Sequence, residues 1–380
     1  MKIEKNILLV VLILFFMTFL LPTSMQRELF PVSINYILFG SYIILFGYRM
    51  KFHLTRVNYP IYILIILSTL SIIYSPTKID AIKQVVSLVL VFIIGIRVSE
   101  LVSENDFFNL IKILSYVCLI YLVLSYLTLS SLRDWENAYI GISENRHNSS
   151  FLYGFMAILN FINIAKFNNK IMKTFSIALI IGCNYFIIET TSRIGFLTQI
   201  IFLLFLSPYI IRSYSPFGRI LLLLSTCFLV SFLLSVDAVQ EYIIFAAERG
   251  MTGRDGINSV LLEYLNYNGG LFYLFGYGFG SLEYYSYLSD LFIRDANNII
   301  AILFVLGFFG LISFIILFLK LSYHYILHLD SFNETALSAV FFSIYLIPSE
   351  TTWLNFNYLY TFFMYIIYLY ILRYKPSKYS

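Results

Sequence analysis

The sequence predicts an all-α polytopic membrane protein of about twelve transmembrane helices, with one large, partly helical loop on the non-cytoplasmic side. Three observations carry this reading. Of 380 residues, 60% are hydrophobic and only 12% are charged, about half the ~25% charged share of soluble domains. Apolar runs able to span a bilayer recur along the whole chain. The runs are continuous instead of alternating, which favours helices over a barrel, because a helix satisfies its own backbone hydrogen bonds in lipid.

The runs fall at 6–21, 30–48, 58–75, 82–98, 107–129, 149–165, 171–188, 195–211, 217–236, 297–319, 335–348 and 356–372. The first has a short basic end like a signal peptide, but Pro22-Thr-Ser-Met-Gln follows it and no small-residue cleavage site does. It is read as a retained helix. Residues 1–380 form a single integral membrane domain. No fixed-period repeat marks two related halves, as a pore-type transporter would show.

Charge placement gives the orientation. With the N-terminus cytoplasmic, 16 of the 25 Lys and Arg residues fall on that side. The positive-inside rule then makes both termini cytoplasmic. The short loop near Lys320 is the exception. The net charge of +4 is small, and no basic tract points to nucleic acid. Cys118, Cys183 and Cys227 each lie inside an apolar run and read as small buried hydrophobes.

Two outer loops stand out. Residues 130–148 form a medium loop. Residues 237–296 form a loop of 60 residues, inserted between helices 9 and 10. Within it, 237–249 has helical spacing. A second short helix is expected over 257–265, with Thr252 and Asp255 as candidate caps. Glycines at 269, 270, 276, 278 and 280 then break regular structure.

Loops held by a rigid scaffold concentrate function. Arg249 and Arg254 lie five residues apart beside Glu248 and Asp255. Arginine suits bidentate phosphate binding, but a solvated loop with local ion pairs has the same spacing. Arg193 opens helix 8, with Glu189 four residues earlier. That pair can be structural or can bind substrate. Gly276 and Gly278 can offer N–H groups to an anion or form a plain turn. Tyrosines in 264–287 can stack on sugar rings. His147 lies on the outer side. His324 and His328 share a helical face with no evident third ligand, so no metal site is expected.

These residues in order resemble the O-antigen polymerase and O-antigen ligase superfamily. The shared features are a Ser-Arg-Gly-like motif at Ser192-Arg193-Ile194-Gly195, and Arg249 followed by Gly253-Arg254. A Phe-Gly-x-Gly turn at Phe275–Gly278 and Asn297 leading to Gly307-Phe308-Phe309-Gly310 complete the set. The layout matches over the whole chain, the motifs from about 189 to 312. Ligases carry a His-Asn pair where this chain reads Ala296-Asn297, which favours polymerase.

The resemblance implies a C-type glycosyltransferase of the bacterial cytoplasmic (inner) membrane. It would polymerise O-antigen or capsule by moving a glycan from polyprenyl diphosphate onto a lipid-linked repeat unit. Arg193, Arg249 and Arg254 would stabilise the departing diphosphate without metal or other cofactor. Candidate bases for the acceptor hydroxyl are Asp295, Asp255, Glu189 and His147, in falling order. Gly276, Gly278 and Asn297 would contact substrate. The implied partners are an undecaprenyl-diphosphate-linked oligosaccharide, membrane lipid and a chain-length regulator. The alternatives are a ligase of the same superfamily and, from another class, a polysaccharide flippase or transporter.

Overall fold

A computed structural model describes residues 2–18, 34–49, 59–134, 137–192, 194–213, 254–282, 284–285, 298–347 and 359–373. Their helices, in chain order, are α1 (Lys2–Met17), α2 (Ile34–Phe46), α3 (Tyr59–Tyr74), α4 (Lys78–Leu101) and α5 (Glu104–Leu127). Then come α6 (Arg146–Lys166), α7 (Lys170–Glu189), α8 (Ile194–Ser213), α9 (Arg254–Asn268) and α10 (Leu271–Phe275). The last are α11 (Asn298–Leu327), α12 (Phe332–Tyr345) and α13 (Leu359–Arg373). Among the described residues there is no strand, only an antiparallel bridge between Arg133 and Tyr139. Every expected apolar run overlaps a described helix except 217–236, which lies outside the described residues, as does the expected helix at 237–249.

Five described helices are long and apolar enough to cross a membrane: Lys78–Leu101, Glu104–Leu127, Lys170–Glu189, Ile194–Arg212 and Ile299–Leu327. Shorter apolar helices run over Tyr36–Phe46, Tyr59–Tyr74 and Thr361–Leu372. The centre of the bundle is built from α6, α12 and α13. Every residue of α6 from Ser149 to Asn160 is buried, and so is every residue of α12 from Thr335 to Tyr345. Surrounding helices turn large apolar side chains outward, with Ile44 84% and Ile171 81% exposed, and Ile73, Ile181, Leu204 and Ile326 similarly placed. Lipid accommodates such outward-facing apolar side chains.

Polar caps fix where helices begin. Ser103 and Asp106 form a reciprocal capping box at the start of α5. The Asn145 side chain accepts from the His147 and Asn148 N–H groups to start α6, and Asn169 accepts from Ile171 N–H to start α7. At one end of the bundle Lys5 meets Asp106 at 2.9 Å, Arg97 meets Glu4 and Glu100, and Lys166 donates to Asn333 at 2.8 Å. These lysines and arginines belong to the set that the charge rule assigns to one side. Glu4 and Lys5, which precede the apolar run, both bond to neighbouring helices. Lys320 is not in a loop. Helix α11 continues through it, and its ammonium sits 3.8 Å from the Tyr59 ring centroid.

Helix α11 is broken at Gly307, whose φ of 67° and ψ of −167° are non-helical. The break leaves the carbonyls of Phe304 and Val305 to outside donors. Tyr277 N–H donates to Phe304 O at 2.7 Å, and Gly278 N–H to Val305 O at 2.9 Å. A broken helix is tolerated in a membrane where neighbouring groups satisfy the freed backbone in this way. The same segment is held from its other side by α3, where Tyr74 donates to Phe275 O at 2.9 Å and Ser75 to Phe279 O at 2.5 Å.

Candidate functional site

At the end opposite Glu4 and Arg97, the N-termini of α6 and α8 meet. Ser150 Oγ donates to Ser192 O at 2.9 Å and accepts from Gly195 N–H at 3.1 Å. His147 Nδ1 lies 3.0 Å from Ser192 Oγ. Backbones approach closely here: a Cβ on Gly195 would sit 2.4 Å from Ser150 O, and one on Gly154 would sit 2.5 Å from Gly195 O. The small residues of the Ser192–Gly195 motif therefore allow α8 to start directly against α6. Arg193 lies outside the described residues, but Ser192 before it and Gly195 after it are both bonded to α6. The N-terminus of α8 also carries the positive end of a helix dipole.

The medium loop packs beside this junction. Arg133 donates to Glu189 Oε2 at 3.0 Å, to Leu129 O at 3.0 Å and to Asn137 O at 2.6 Å. Tyr139 N–H donates to Glu189 O at 2.9 Å. Arg146 meets Asp134 at 3.3 Å. Among the described residues Glu189 pairs with Arg133, 56 residues upstream; Arg193, the partner that sequence spacing offered, lies outside them. Residues that sequence reasoning missed are Arg133, Asp134, Arg146 and Ser150. Only the adjacency of Ser149 and Ser150 to His147 hinted at them.

The glycine segment forms a turn packed on other backbone, one of the two roles considered from sequence. Gly276 and Gly278 are buried, with φ of 74° and 85°. Their N–H groups donate to Phe272 O at 2.8 Å and Val305 O at 2.9 Å. Those donors are taken by the protein, and the two glycines permit backbone packing. Tyr277 is likewise enclosed, stacked on both Phe272 and Phe304 with centroids at 4.5 and 4.6 Å. Its hydroxyl donates to Tyr264 O at 2.7 Å, and burial pushes its pKa above the ordinary tyrosine value. Tyr267, by contrast, is 89% exposed on α9.

Of the remaining expected site residues, Arg249, Asp295 and Asn297 lie outside the described residues. Arg254 and Asp255 open α9, but their side chains are outside the description. Helix α9 spans the expected 257–265 and is longer at both ends. Cys118 and Cys183, read separately from sequence, are buried together with their sulfurs 3.8 Å apart. At the opposite end of the bundle the structure supplies the third residue that His324 and His328 lacked in sequence, namely Glu334.

No family model and no curated protein sequence matches this chain.

Proposed function

We propose that this protein is a membrane glycosyltransferase that polymerises a bacterial surface polysaccharide, O-antigen or capsule, from polyprenyl-diphosphate-linked units. The observation that carries the reading is the His147–Ser192 contact of 3.0 Å. It sets an imidazole beside the residue that precedes Arg193, at the N-terminus of α8. In this reading His147 is the base, and Arg193, which follows Ser192 in sequence, supplies the cation for an anion held at the N-terminus of α8.

Polymerisation needs these two functions together. The acceptor hydroxyl oxygen forms a bond to the anomeric carbon while the bond from that carbon to the diphosphate breaks. His147 takes the hydroxyl proton. Arg193, with Arg249 and Arg254 from the long loop, stabilises the negative charge that develops on the leaving diphosphate. Among the proposed bases whose side chains are described, Glu189 is engaged by Arg133. His147 therefore rises above its place in the order expected from sequence. The full reading includes twelve crossings, cytoplasmic termini and an outward loop over 237–296.

The test is deletion of the gene followed by gel display of surface polysaccharide. A single-repeat product restored to full length by the wild-type gene is the expected result. Loss of all surface attachment would make the protein a ligase. Accumulation of lipid-linked units on the inner face would make it a flippase.

A further inference from the structure

The short connection between α11 and α12 folds three potential ligands together at the bundle end opposite His147. His324 and His328 are one helical turn apart near the end of α11, and their rings stack with centroids 4.0 Å apart. Serine 331 precedes α12, so Glu334 falls in its first turn and faces back toward α11. Its Oε2 lies 3.1 Å from His324 Nε2. One ligand atom from each of the three residues lies within 4.8 Å of the others. All three side chains are partly exposed, so an ion has access from solvent.

We infer that His324, His328 and Glu334 form a binding site for a divalent transition-metal ion of the zinc class, clamping α11 to α12. Donor chemistry selects the class. Two imidazoles and one carboxylate suit Zn²⁺ and its borderline neighbours, whereas Mg²⁺ and Ca²⁺ favour all-oxygen sites. Geometry is close to what such an ion needs. With bonds of about 2.0–2.1 Å, tetrahedral ligands stand ~3.4 Å apart. The His324–Glu334 edge is already of that order, and His328 needs only side-chain adjustment. His328 Nδ1 lies 3.4 Å from the same Glu334 oxygen and 2.9 Å from His324 O, so on binding the ion it would exchange the carbonyl contact for the metal. Beside Glu334 is a small cavity lined by Glu104, Asn333, Glu334, Leu337, Tyr370 and Ile371. The site does not depend on the transfer reaction and lies at the other end of the molecule from it.

The experiment uses the full chain, purified through a histidine-free tag in lipid nanodiscs. It is exposed to Zn²⁺, passed through gel filtration and analysed for metal, with Co²⁺ as a spectroscopic probe. The expected result is one retained ion per chain, a Co²⁺ ligand-field band, and a thermal midpoint that rises with Zn²⁺ and falls again with chelator. His328→Ala and the isosteric Glu334→Gln should each weaken binding by at least the ~10–100-fold that loss of an orienting partner costs. Both variants keep His53 and His147, which controls for adventitious histidine binding. A wild-type protein that retains no Zn²⁺, or variants that elute normally and retain as much as wild type, would overturn the site.

Discussion

Gly307 faces the backbone of Leu274 so closely that a Cβ there would stand 2.4 Å from the Leu274 carbonyl carbon and oxygen. The approach is reciprocal, since a Cβ on Gly276 would stand 2.4 Å from Val305. Two backbones cross at a break in a helix, and each supplies a glycine to the crossing. Gly307→Ala should therefore cost both backbone strain at a positive φ, about 1–3 kcal/mol, and overpacking, about 1–3 kcal/mol. Gly270→Ala is the control, because its φ is 45° but nothing lies within 4 Å of the added methyl. It should cost the strain alone. Thermal unfolding of both variants in detergent measures the difference, and equal losses would mean that the crossing is looser than its geometry.

The Glu189–Arg133 pair separates a structural carboxylate from a catalytic one. Both side chains are about a quarter exposed, so Glu189→Gln should cost no more than the ~0–1 kcal/mol typical of surface pairs. Polymer length should be unchanged. A general base would instead lose about 10²–10⁴-fold in rate on the same substitution. Gel display of polysaccharide from the complemented deletion strain reads which of the two holds.

Sequence reading reached the helices well and the contacts between them poorly. Runs such as 82–98 and 107–129 were legible because apolar length is a local property, and α4 and α5 lie over them. Gly307 and the Phe275–Gly278 turn were visible as motifs, but their joining was not. The hydrogen bond from Tyr277 to Phe304 links two loop-separated segments, and no spacing encodes it. Glu189 shows the same limit. Spacing offered its i+4 neighbour Arg193 as a partner, but no spacing could reveal Arg133, which reaches Glu189 from another loop. Glu334 escaped notice as a companion of His324 because the α11–α12 turn, not helical periodicity, brings them together.

Orientation in the membrane is testable with single cysteines placed in a variant lacking Cys118, Cys183 and Cys227. Lys170→Cys sits at the exposed start of α7, and Tyr267→Cys on the exposed end of α9. The charge asymmetry predicts that an impermeant thiol reagent added to intact spheroplasts labels position 267 and spares position 170. Labelling at 170 alone would invert the topology and place His147 on the wrong face for a lipid-linked, externally displayed glycan.

The sharpest test of the proposed chemistry compares His147 with Arg193. His147 meets Ser192 at 3.0 Å without being part of the buried Ser150 bonds that hold α6 to α8. His147→Ala should therefore leave the protein inserted and folded while lowering polymerisation by about 10²–10⁴-fold, the usual worth of a positioned proton acceptor. Arg193→Ala and Arg254→Ala should abolish polymerisation at equal expression, because an unneutralised diphosphate is a poor leaving group. Arg193→Lys should recover only part of it, since an ammonium supplies the charge but not the planar fork that grips two phosphate oxygens. Rates with purified protein and lipid-linked repeat units in nanodiscs would separate the cases. If His147→Ala and Arg193→Ala both make full-length polymer, the α6–α8 junction is a packing feature and the catalytic centre must be sought elsewhere. If Arg193→Ala fails while His147→Ala is normal, the anion site stands and another group takes the hydroxyl proton, with Asp295 and Asp255 the next residues to substitute.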